Sequence, residues 1–454
     1  MALNTKGLKK KRVGVITRRQ FIKTSLAGAA LATTGGLVFP RYGAAKPKKL
    51  KILQWVHFVP GYDKWFNGTY IKEWGAKNDT EVIVDNIGLA GINARAAAEA
   101  SAQKGHDLFM FLWPKPDFEH QVIDHREIYE ECARNVGKPI DLAIKSTYNP
   151  KTKKYYGFSD SFVPDPVNYR KDLWDSVGMS PNTWDDVRRG GAKIKKKHNA
   201  PLGIGLASEI DTNMAMRAIM YSFGSSVHDE EGNVVLNSKE TLEAIKFVKA
   251  LYNEAMTPEV FTWDASANNR FMLSGKGSLA LNAISITRTA EKIAPEMEKK
   301  IWLAKAPKGP VRRMGLEHVM DVYVIWKFAD NIDGAKKFLV DYISNFRRAF
   351  LASEYYNFPC FAQTVPDLKK LLAHDKKAQP PDKYKVLEDV EDWATNVGFP
   401  GYANAAIDET FSTWVISTMF ARAAAGMLSP EDALKAADKK VQGIFKKWRA
   451  RGMI

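Results

Sequence analysis

Residues 263–270 have side-chain types that suit the binding of a hydroxylated small molecule. The run reads Trp-Asp-Ala-Ser-Ala-Asn-Asn-Arg, and its candidate ligand-contacting side chains are Trp263, Asp264, Asn268, Asn269 and Arg270. Amides and carboxylates exchange hydrogen bonds with hydroxyl groups, and an indole offers a flat face to C–H groups, as a sugar or polyol requires. A capped helix start with solvent-facing asparagines is the structural alternative.

Signatures of enzyme chemistry are missing from the sequence. It contains no Cys-x-x-Cys, His-Glu-x-x-His or Gly-x-Ser-x-Gly motif and no P-loop. His120 and Asp124 share a predicted helix face, for which a solvated surface is favoured over a metal site. We therefore predict no catalytic residue, cofactor or metal. A secreted carbohydrate-active enzyme remains the alternative, because the spacing of a carboxylate pair is spatial.

The net charge of +16 suggests nucleic-acid binding at first sight, but much of it lies at one end. Residues 1–45 hold nine basic residues and no acidic residue, so the rest of the chain carries +7. The remaining Lys and Arg are scattered along helix-like segments. Nucleic-acid sites need clustered charge with base-reading or stacking groups. We therefore expect no nucleic-acid partner.

The N-terminus has the order of an export signal. Arg18-Arg19-Gln20-Phe21 follows a basic stretch and precedes a mildly apolar run from Leu26 to Phe39. This run is too short and too weakly apolar for a comfortable transmembrane helix. The pattern resembles the twin-arginine signal, which implies a signal peptide at 1–45, cleavage after Ala45 and a periplasmic protein. The alternative is a basic tail that adsorbs to membranes.

The rest of the chain alternates strands and helices. Strands are predicted at 50–58, 81–87 and 107–112, and helices at 62–77 and 92–103 between them. This order predicts an α/β fold with parallel-type sheets flanked by helices. Ligands of such sheets bind at the carboxyl ends of strands. His57 and Phe58, which end the first strand, and Trp113, which follows the third, are therefore candidate site residues.

One segment and three supporting elements resemble the family 1 extracellular solute-binding proteins of ABC importers, which are similar to maltose-binding protein. The segment Phe271–Asn282 is similar to the family pattern F-x-x-G-K-x-A-M-x-x-x-G. The first strand ending near Trp55, the run 169–173 and the helix pair 414–434 occur in the family's order. The run Asn-Ala-Ile-Ser at 282–285 departs from the family's Asn-Gly-x-Trp, so a common stacking aromatic is absent there.

The resemblance implies a two-lobed, class II-like fold with a cleft between lobes that close on ligand. We expect lobe 1 at 46–163 plus 283–320 and lobe 2 at 164–282 plus 321–454, with crossings near 162–166, 281–284 and 316–322. Family position adds further site candidates: Glu209, Asp211, Asn282, Ser285, Glu317, His318 and Trp414. An N-cap role is the alternative for the first two, and core packing is the alternative for Trp414.

The implied function is the periplasmic capture of a small hydroxylated solute, a carbohydrate or polyol, for an inner-membrane ABC permease. An anionic sugar derivative, such as a glycerol phosphate or sugar acid, is the alternative because Arg270 suits a carboxylate or phosphate. A cationic polyamine is a more distant alternative for the ligand. A monomer is expected. Cys132 and Cys360 either pair in the oxidising periplasm or stay as buried thiols.

Overall fold

The computed structural model describes residues 48–454, so the predicted signal peptide and its cleavage site lie outside the described residues. Strands β1 to β13 cover Lys48–Trp55, Thr80–Ile87, Leu108–Phe111, Tyr148–Asn149, Lys154–Tyr155, Phe158–Pro164, Val167–Arg170, Leu202–Gly203, Leu279–Leu281, Ile301–Ala304, Gly315–Ile325, Phe358–Pro359 and Ala394–Thr395. Helices α1 to α18 cover Pro60–Trp65, Ile71–Lys77, Ile92–Ala102, Arg126–Val136, Asp141–Thr147, Lys171–Asp175, Trp184–His198, Ile210–Ser222, Lys239–Ala255, Ala267–Leu273, Ser285–Ile293, Pro295–Glu298, Ile332–Ser344, Phe346–Ala352, Leu368–Ala373, Ala405–Ser412, Val415–Ala424 and Pro430–Ala450.

Two sheets organise this part of the chain. The first has the strand order β12-β6-β11-β3-β1-β2, with β13 added beside β11. In it β1 pairs in parallel with β2 and β3, whereas β11 runs antiparallel to β3 and β6. The second has the order β10-β7-β9-β8, in which only the β8–β9 pair is parallel. These are the sheets of a two-lobed α/β fold.

The sheets are mixed, where the sequence predicted parallel-type sheets. The predicted βα alternation is present in β1, β2 and β3, whose helical connections produce parallel pairs. The antiparallel strands β6 and β11 adjoin segments that pass between the sheets, because β6 leads into β7 of the second sheet and β11 follows β10 of the second sheet. Only residues 165–166 separate β6 of the first sheet from β7 of the second. Such short connections do not impose the parallel direction that a crossover helix does.

The strands divide differently from the predicted lobe bounds. Strand β10, at Ile301–Ala304, pairs with β7 in the second sheet, although 283–320 was expected in lobe 1. Strand β11 continues through residue 320 as one strand of the first sheet, because its pairing with β6 extends from Glu317 to Tyr323. Helix α13 was expected in lobe 2, but it packs on α4, which belongs to the part of the chain expected in lobe 1. The amphipathic periodicity of α13 shows that one face is buried, but it does not show against which lobe.

The cores of both halves are aromatic and aliphatic. Near the first sheet, the rings of Tyr62, Phe66, Phe338 and Tyr342 pack on one another. Cys132 and Cys360 are buried and both carry free thiols. Across residues 48–454, no helix combines the length and apolar character needed to cross a membrane.

Candidate functional site

Helix α8 begins with a tightly capped first turn. The Glu209 carboxylate accepts hydrogen bonds from the backbone N–H of Asp211 at 2.7 Å and of Thr212 at 2.5 Å. The N-cap role, which the sequence left as the alternative for Glu209, is therefore present, and Glu209 satisfies backbone donors that an isolated helix start leaves free. Asp211, in the first turn, is left to make contacts outside the helix, and every residue of this helix is buried.

Five buried polar residues meet where the chain passes between the sheets; we call them the crossing cluster: Asp165, Asp211, Asn268, Asn282 and His318. His318 lies in β11, with Nδ1 3.3 Å from Asp165 Oδ1 and Nε2 3.5 Å from Asp211 Oδ1. Asp165 occupies the two-residue passage from β6 to β7. The cluster therefore joins both sheets to the start of α8.

Asparagine side chains continue this network on one side. Asn268 Nδ2 donates to Asp211 Oδ2 at 2.5 Å, and Asn282 Nδ2 donates to Asn268 Oδ1 at 2.8 Å. Asn282 also donates to Asn269, whose own amide donates to Ser285 Oγ at 3.1 Å. Side-chain amides thus hold together Asn282, which follows β9, and the first turns of α10 and α11.

The charges of the crossing cluster shift one another. Burial alone would lower the pKa of His318, but the carboxylates of Asp211 and Asp165 outweigh it and raise the pKa to about 9. Burial, together with Glu209 and Asp165, raises the pKa of Asp211 well above its usual range, against the effect of His318. The imidazole is therefore charged at neutral pH.

Aromatic side chains flank the same helix start; we call Trp113, Phe411 and Trp414 the aromatic group. The rings of Trp113 and Phe411 lie 5.5 Å apart, and Trp414 lies 6.4 Å from Phe411. Asn213 of α8 donates to the Phe411 carbonyl at 2.9 Å, which ties this group to the first turn of α8. Trp414 is half-buried and has a left-handed backbone with φ of 57° at the start of α17. Polar and aromatic groups therefore adjoin around one helix end.

Three predicted residues do not join the hydrogen bonds of the crossing cluster. His57 is buried, its Nε2 lies 2.9 Å from Asn357 Oδ1, and burial lowers its pKa to about 4. Phe58 is half-buried, with its ring against Trp55. Glu317 is fully buried beside His318 in sequence and accepts from the Val397 N–H at 3.0 Å. Burial raises the pKa of Glu317 well above its usual range.

The run 263–270 divides into two parts. Asn268 and Asn269 point into the network described above, whereas Asp264 and Arg270 form an ion pair at 3.0 Å with side chains 66% and 62% exposed. The Trp263 ring packs on Phe271 at 5.2 Å. Trp263 and Arg270 line a separate surface depression of about 400 Å³. The helical turn of α10 separates the asparagines from the arginine, which a linear reading of the run could not resolve.

Two residues of the arrangement were missed from the sequence. Asp165 lies between Pro164 and Pro166, and an acidic residue fixed by two prolines in an extended segment was an available signal. Tyr356 is fully buried and its ring lies 5.0 Å from that of His57. Tyr356 carries no local signal in the sequence, because only the packing of the segment after α14 brings its ring against His57.

Residues 69–354 match the family model described as bacterial extracellular solute-binding protein, which is more than half of the chain. The chain belongs to this family. Residues 15–35 of this solute-binding protein also match the signal sequence of the twin-arginine translocation pathway. The protein is therefore exported to the periplasm by that route, as the sequence predicted.

Curated relatives of the solute-binding protein are distant. A binding protein of Brucella abortus (strain 2308) is 27% identical over 233 residues, covering 48% of this chain and 56% of the relative. The arabinooligosaccharide-binding protein of Bacillus subtilis (strain 168) is 24% identical over 206 residues, covering 44% of this chain and 46% of the relative. The chain thus spans about half the length of the curated relatives it matches.

Solved structures show the fold over nearly the whole described chain. An ABC transporter solute-binding protein from Thermotoga lettingae, bound with α-D-tagatose, aligns with a TM-score of 0.72 at 18% identity. That alignment covers 88% of this chain and all of the other. A solute-binding protein from Agrobacterium radiobacter K84, in complex with ribitol, aligns with a TM-score of 0.68 at 16% identity, covering 87% and 98% of the two chains. The two-lobed fold predicted from the sequence is confirmed.

Proposed function

We propose that this solute-binding protein captures a small hydroxylated solute, a carbohydrate or polyol, and delivers it to an ABC importer of the inner membrane. The observation that carries the proposal is a set of buried polar atoms without hydrogen-bond partners among residues 48–454. They include Trp113 Nε1 of the aromatic group, Asn168 Oδ1 of the amide that donates to the Asn282 carbonyl, and the hydroxyl of Tyr356, whose ring lies against His57. Buried polar groups are ordinarily satisfied, so such atoms at one place indicate that a ligand completes them.

The chemistry of the surroundings favours hydroxyl groups. Carboxylates and amides supply acceptors and donors, and the aromatic group supplies flat apolar faces next to them. The names of similar proteins agree with this class, since one is an arabinooligosaccharide-binding protein and two similar structures hold tagatose and ribitol. Delivery to an importer is supported by the family and by the similarity to the tagatose-bound protein, which is an ABC transporter solute-binding protein.

An anionic sugar derivative is not favoured by this arrangement. Arg270, the residue that suggested it, pairs with Asp264 at the surface and lies outside the crossing cluster. The cluster itself presents the carboxyl groups of Asp165 and Asp211, which would repel a phosphate or carboxylate. We therefore keep the neutral hydroxylated class as the proposal.

A thermal-shift screen of the exported protein tests the ligand class. The panel is glucose, arabinose, tagatose, ribitol, sorbitol, glycerol 3-phosphate and putrescine. A bound ligand raises the melting temperature by mass action, so at least one neutral member is expected to do so. A shift with glycerol 3-phosphate or putrescine alone would contradict the proposal.

The Tyr356→Phe variant tests the place of binding. This hydroxyl has no partner in the described part of the chain, so its removal is expected to leave the melting temperature of the ligand-free protein unchanged. Loss of one ligand hydrogen bond should weaken binding of the best panel member by about 1 kcal/mol in calorimetry. Tyr252→Phe, on α9 with its ring against Phe261, is the matched control and should bind normally. Equal affinities of both variants would remove Tyr356 from the site.

The absence of catalysis is part of the proposal. Incubation of the protein with arabino-, malto- and laminari-oligosaccharides should return them intact in chromatography. Release of shorter products, abolished by Asp165→Asn or Glu209→Gln, would instead support a carbohydrate-active enzyme.

A further inference from the structure

Most of the net positive charge that follows the signal peptide lies at the C-terminal end of the chain. Residues 46–454 carry a net charge of +7, and residues 439–454 hold six basic residues and no acidic residue. This leaves a net charge of only +1 for residues 46–438. A nearly neutral body therefore ends in one strongly basic segment, which is the second half of α18 and the residues after it.

Helix α18 presents a row of lysines on the side opposite to its buried face. Lys435, Lys439 and Lys446 recur at helical spacing and are exposed, whereas the side that packs on α16 and α17 is apolar and buried. Within residues 48–454, the ammonium groups of these three lysines make no ion pair or hydrogen bond. Lys447, at the edge of the row, pairs instead with Glu409. The row is therefore available to a partner outside the chain.

A second basic element adjoins the end of this helix. The side-chain amide of Asn149, in the hairpin of β4 and β5, donates to the Met453 carbonyl at 3.2 Å. This contact holds the hairpin beside the residues that follow α18. The hairpin turn exposes Lys151 and Lys153, whose ammonium groups contact no carboxylate in the described part of the chain. Two elements that are distant in sequence thus contribute charge of one sign to the same end of the molecule.

Acidic groups occur at the sides of this surface and are partly neutralised. Glu431, in the first turn of α18, lies 3.5 Å from the Lys246 ammonium. Arg449 donates to the Gly232 carbonyl at 2.6 Å, which places the acidic turn 229–231 beside that arginine. The other acidic residues of α18 lie in its first half. The positive charge therefore dominates toward the end of the helix.

We propose that this end of the molecule binds the anionic phospholipid headgroups of a bilayer through a terminal basic surface, which consists of Lys151, Lys153, Lys435, Lys439 and Lys446. Lysines close to an anionic bilayer are attracted to it over about a Debye length. The apolar side of α18 is buried in the protein, so the contact is electrostatic and α18 does not insert. The row of lysines contains no exposed aromatic ring on which a base could stack, so headgroup phosphates suit it better than a nucleic acid.

The consequence is a binding protein that stays close to the membrane after export. Adsorption to anionic headgroups holds it at a membrane surface, where an importer is accessible by lateral diffusion. The lipid contact does not involve the crossing cluster or the captured solute. It therefore goes beyond the proposed function, and its failure would leave that function unchanged.

Co-sedimentation of the exported protein with vesicles tests the terminal basic surface. The probes are vesicles of phosphatidylcholine alone and vesicles that also contain phosphatidylglycerol. The protein should sediment only with the anionic vesicles at about 50 mM NaCl, and should be released at about 500 mM, where the Debye length is about threefold shorter. No binding to anionic vesicles, or equal binding to both kinds, overturns the proposal.

Two triple variants with the same loss of charge locate the contact. Lys435→Gln, Lys439→Gln and Lys446→Gln together should weaken vesicle binding by roughly tenfold or more, since each lysine at an anionic surface contributes about fivefold. The control, which replaces the lysines on the exposed face of α7 by Gln, should bind vesicles like the wild type; these lysines are Lys193, Lys196 and Lys197.

The substituted lysines are exposed in both variants, so both should keep the melting temperature of the wild type. Equal weakening of the two variants would attribute the binding to net charge alone and overturn the terminal basic surface.

Inner-membrane preparations distinguish a lipid from a protein as the partner. Binding to these membranes should survive their treatment with protease if headgroups are the partner. Loss of binding after protease treatment, together with no binding to the synthetic anionic vesicles, would assign the surface to a membrane protein and overturn the lipid contact.

Discussion

At the scale of single residues, the protonation of His318 is coupled to the stability of the fold. Its pKa is raised from 6.5 to about 9 because Asp211 and Asp165 face its two ring nitrogens. A pKa that is higher in the folded state adds stability that is complete below about pH 6.5 and is lost as the pH rises through about 9. Raising this pKa from 6.5 to about 9 corresponds to about 3 kcal/mol of unfolding free energy at a pH below 6.5.

Urea unfolding of the wild type and of His318→Gln at pH 6, 8 and 10 measures this contribution. The wild type should be more stable at pH 6, and the difference between the two should shrink by roughly 3 kcal/mol at pH 10. A difference that stays constant across this range would show that His318 is not charged in the folded protein. Asp211→Asn serves as a comparison, because it removes one of the two carboxyl groups that raise this pKa.

At the scale of elements, a buried ion pair connects the loop after β3 to helix α16. Lys115 Nζ lies 2.7 Å from Asp408 Oδ2, and the two side chains are 7% and 3% exposed. Removing one partner leaves an uncompensated buried charge, so Lys115→Met should cost about 3–5 kcal/mol of unfolding free energy. Lys115→Met combined with Asp408→Leu should recover at least half of that loss, since apolar side chains replace the pair.

A double-mutant cycle in chemical denaturation provides the measurement. The exposed pair Lys171–Asp175, 2.7 Å apart on α6, is the matched control, and its loss should cost less than about 1 kcal/mol. Similar costs for the two pairs would mean that the Lys115–Asp408 contact is not formed in solution.

At the scale of the whole molecule, the two sheets are connected by short passages and by the side chains of the crossing cluster. Residues 165–166 form one passage, and residues 305–314 form another between β10 and β11. Lobes joined in this way close by hinge motion around a ligand. Small-angle scattering of the exported protein should therefore show a smaller radius of gyration with the best-binding panel member. Identical scattering curves at saturating ligand would contradict closure.

Export is a property of the whole precursor. The twin-arginine match at residues 15–35 includes Arg18 and Arg19. Arg18→Lys with Arg19→Lys should leave the precursor in the cytoplasm, as cell fractionation and immunoblotting would show. Arg12→Lys, outside the match, is the control and should be exported normally. Unchanged periplasmic yield of the double variant would argue for another export route.

The sequence by itself determined the export signal, the α/β class and the two-lobed family, because these rest on local motifs and on their order along the chain. It gave the capped start at Glu209 only as the alternative to a ligand-binding role. Tertiary structure alone decided which polar residues meet. Asp165, Asp211 and His318 come from a passage, a helix and a strand, and their distances exist only once both sheets are packed. The same holds within 263–270, where the orientation of α10 turns Asn268 inward and leaves Arg270 exposed. Residue type indicates what a side chain can bind, whereas packing between distant elements decides where it points.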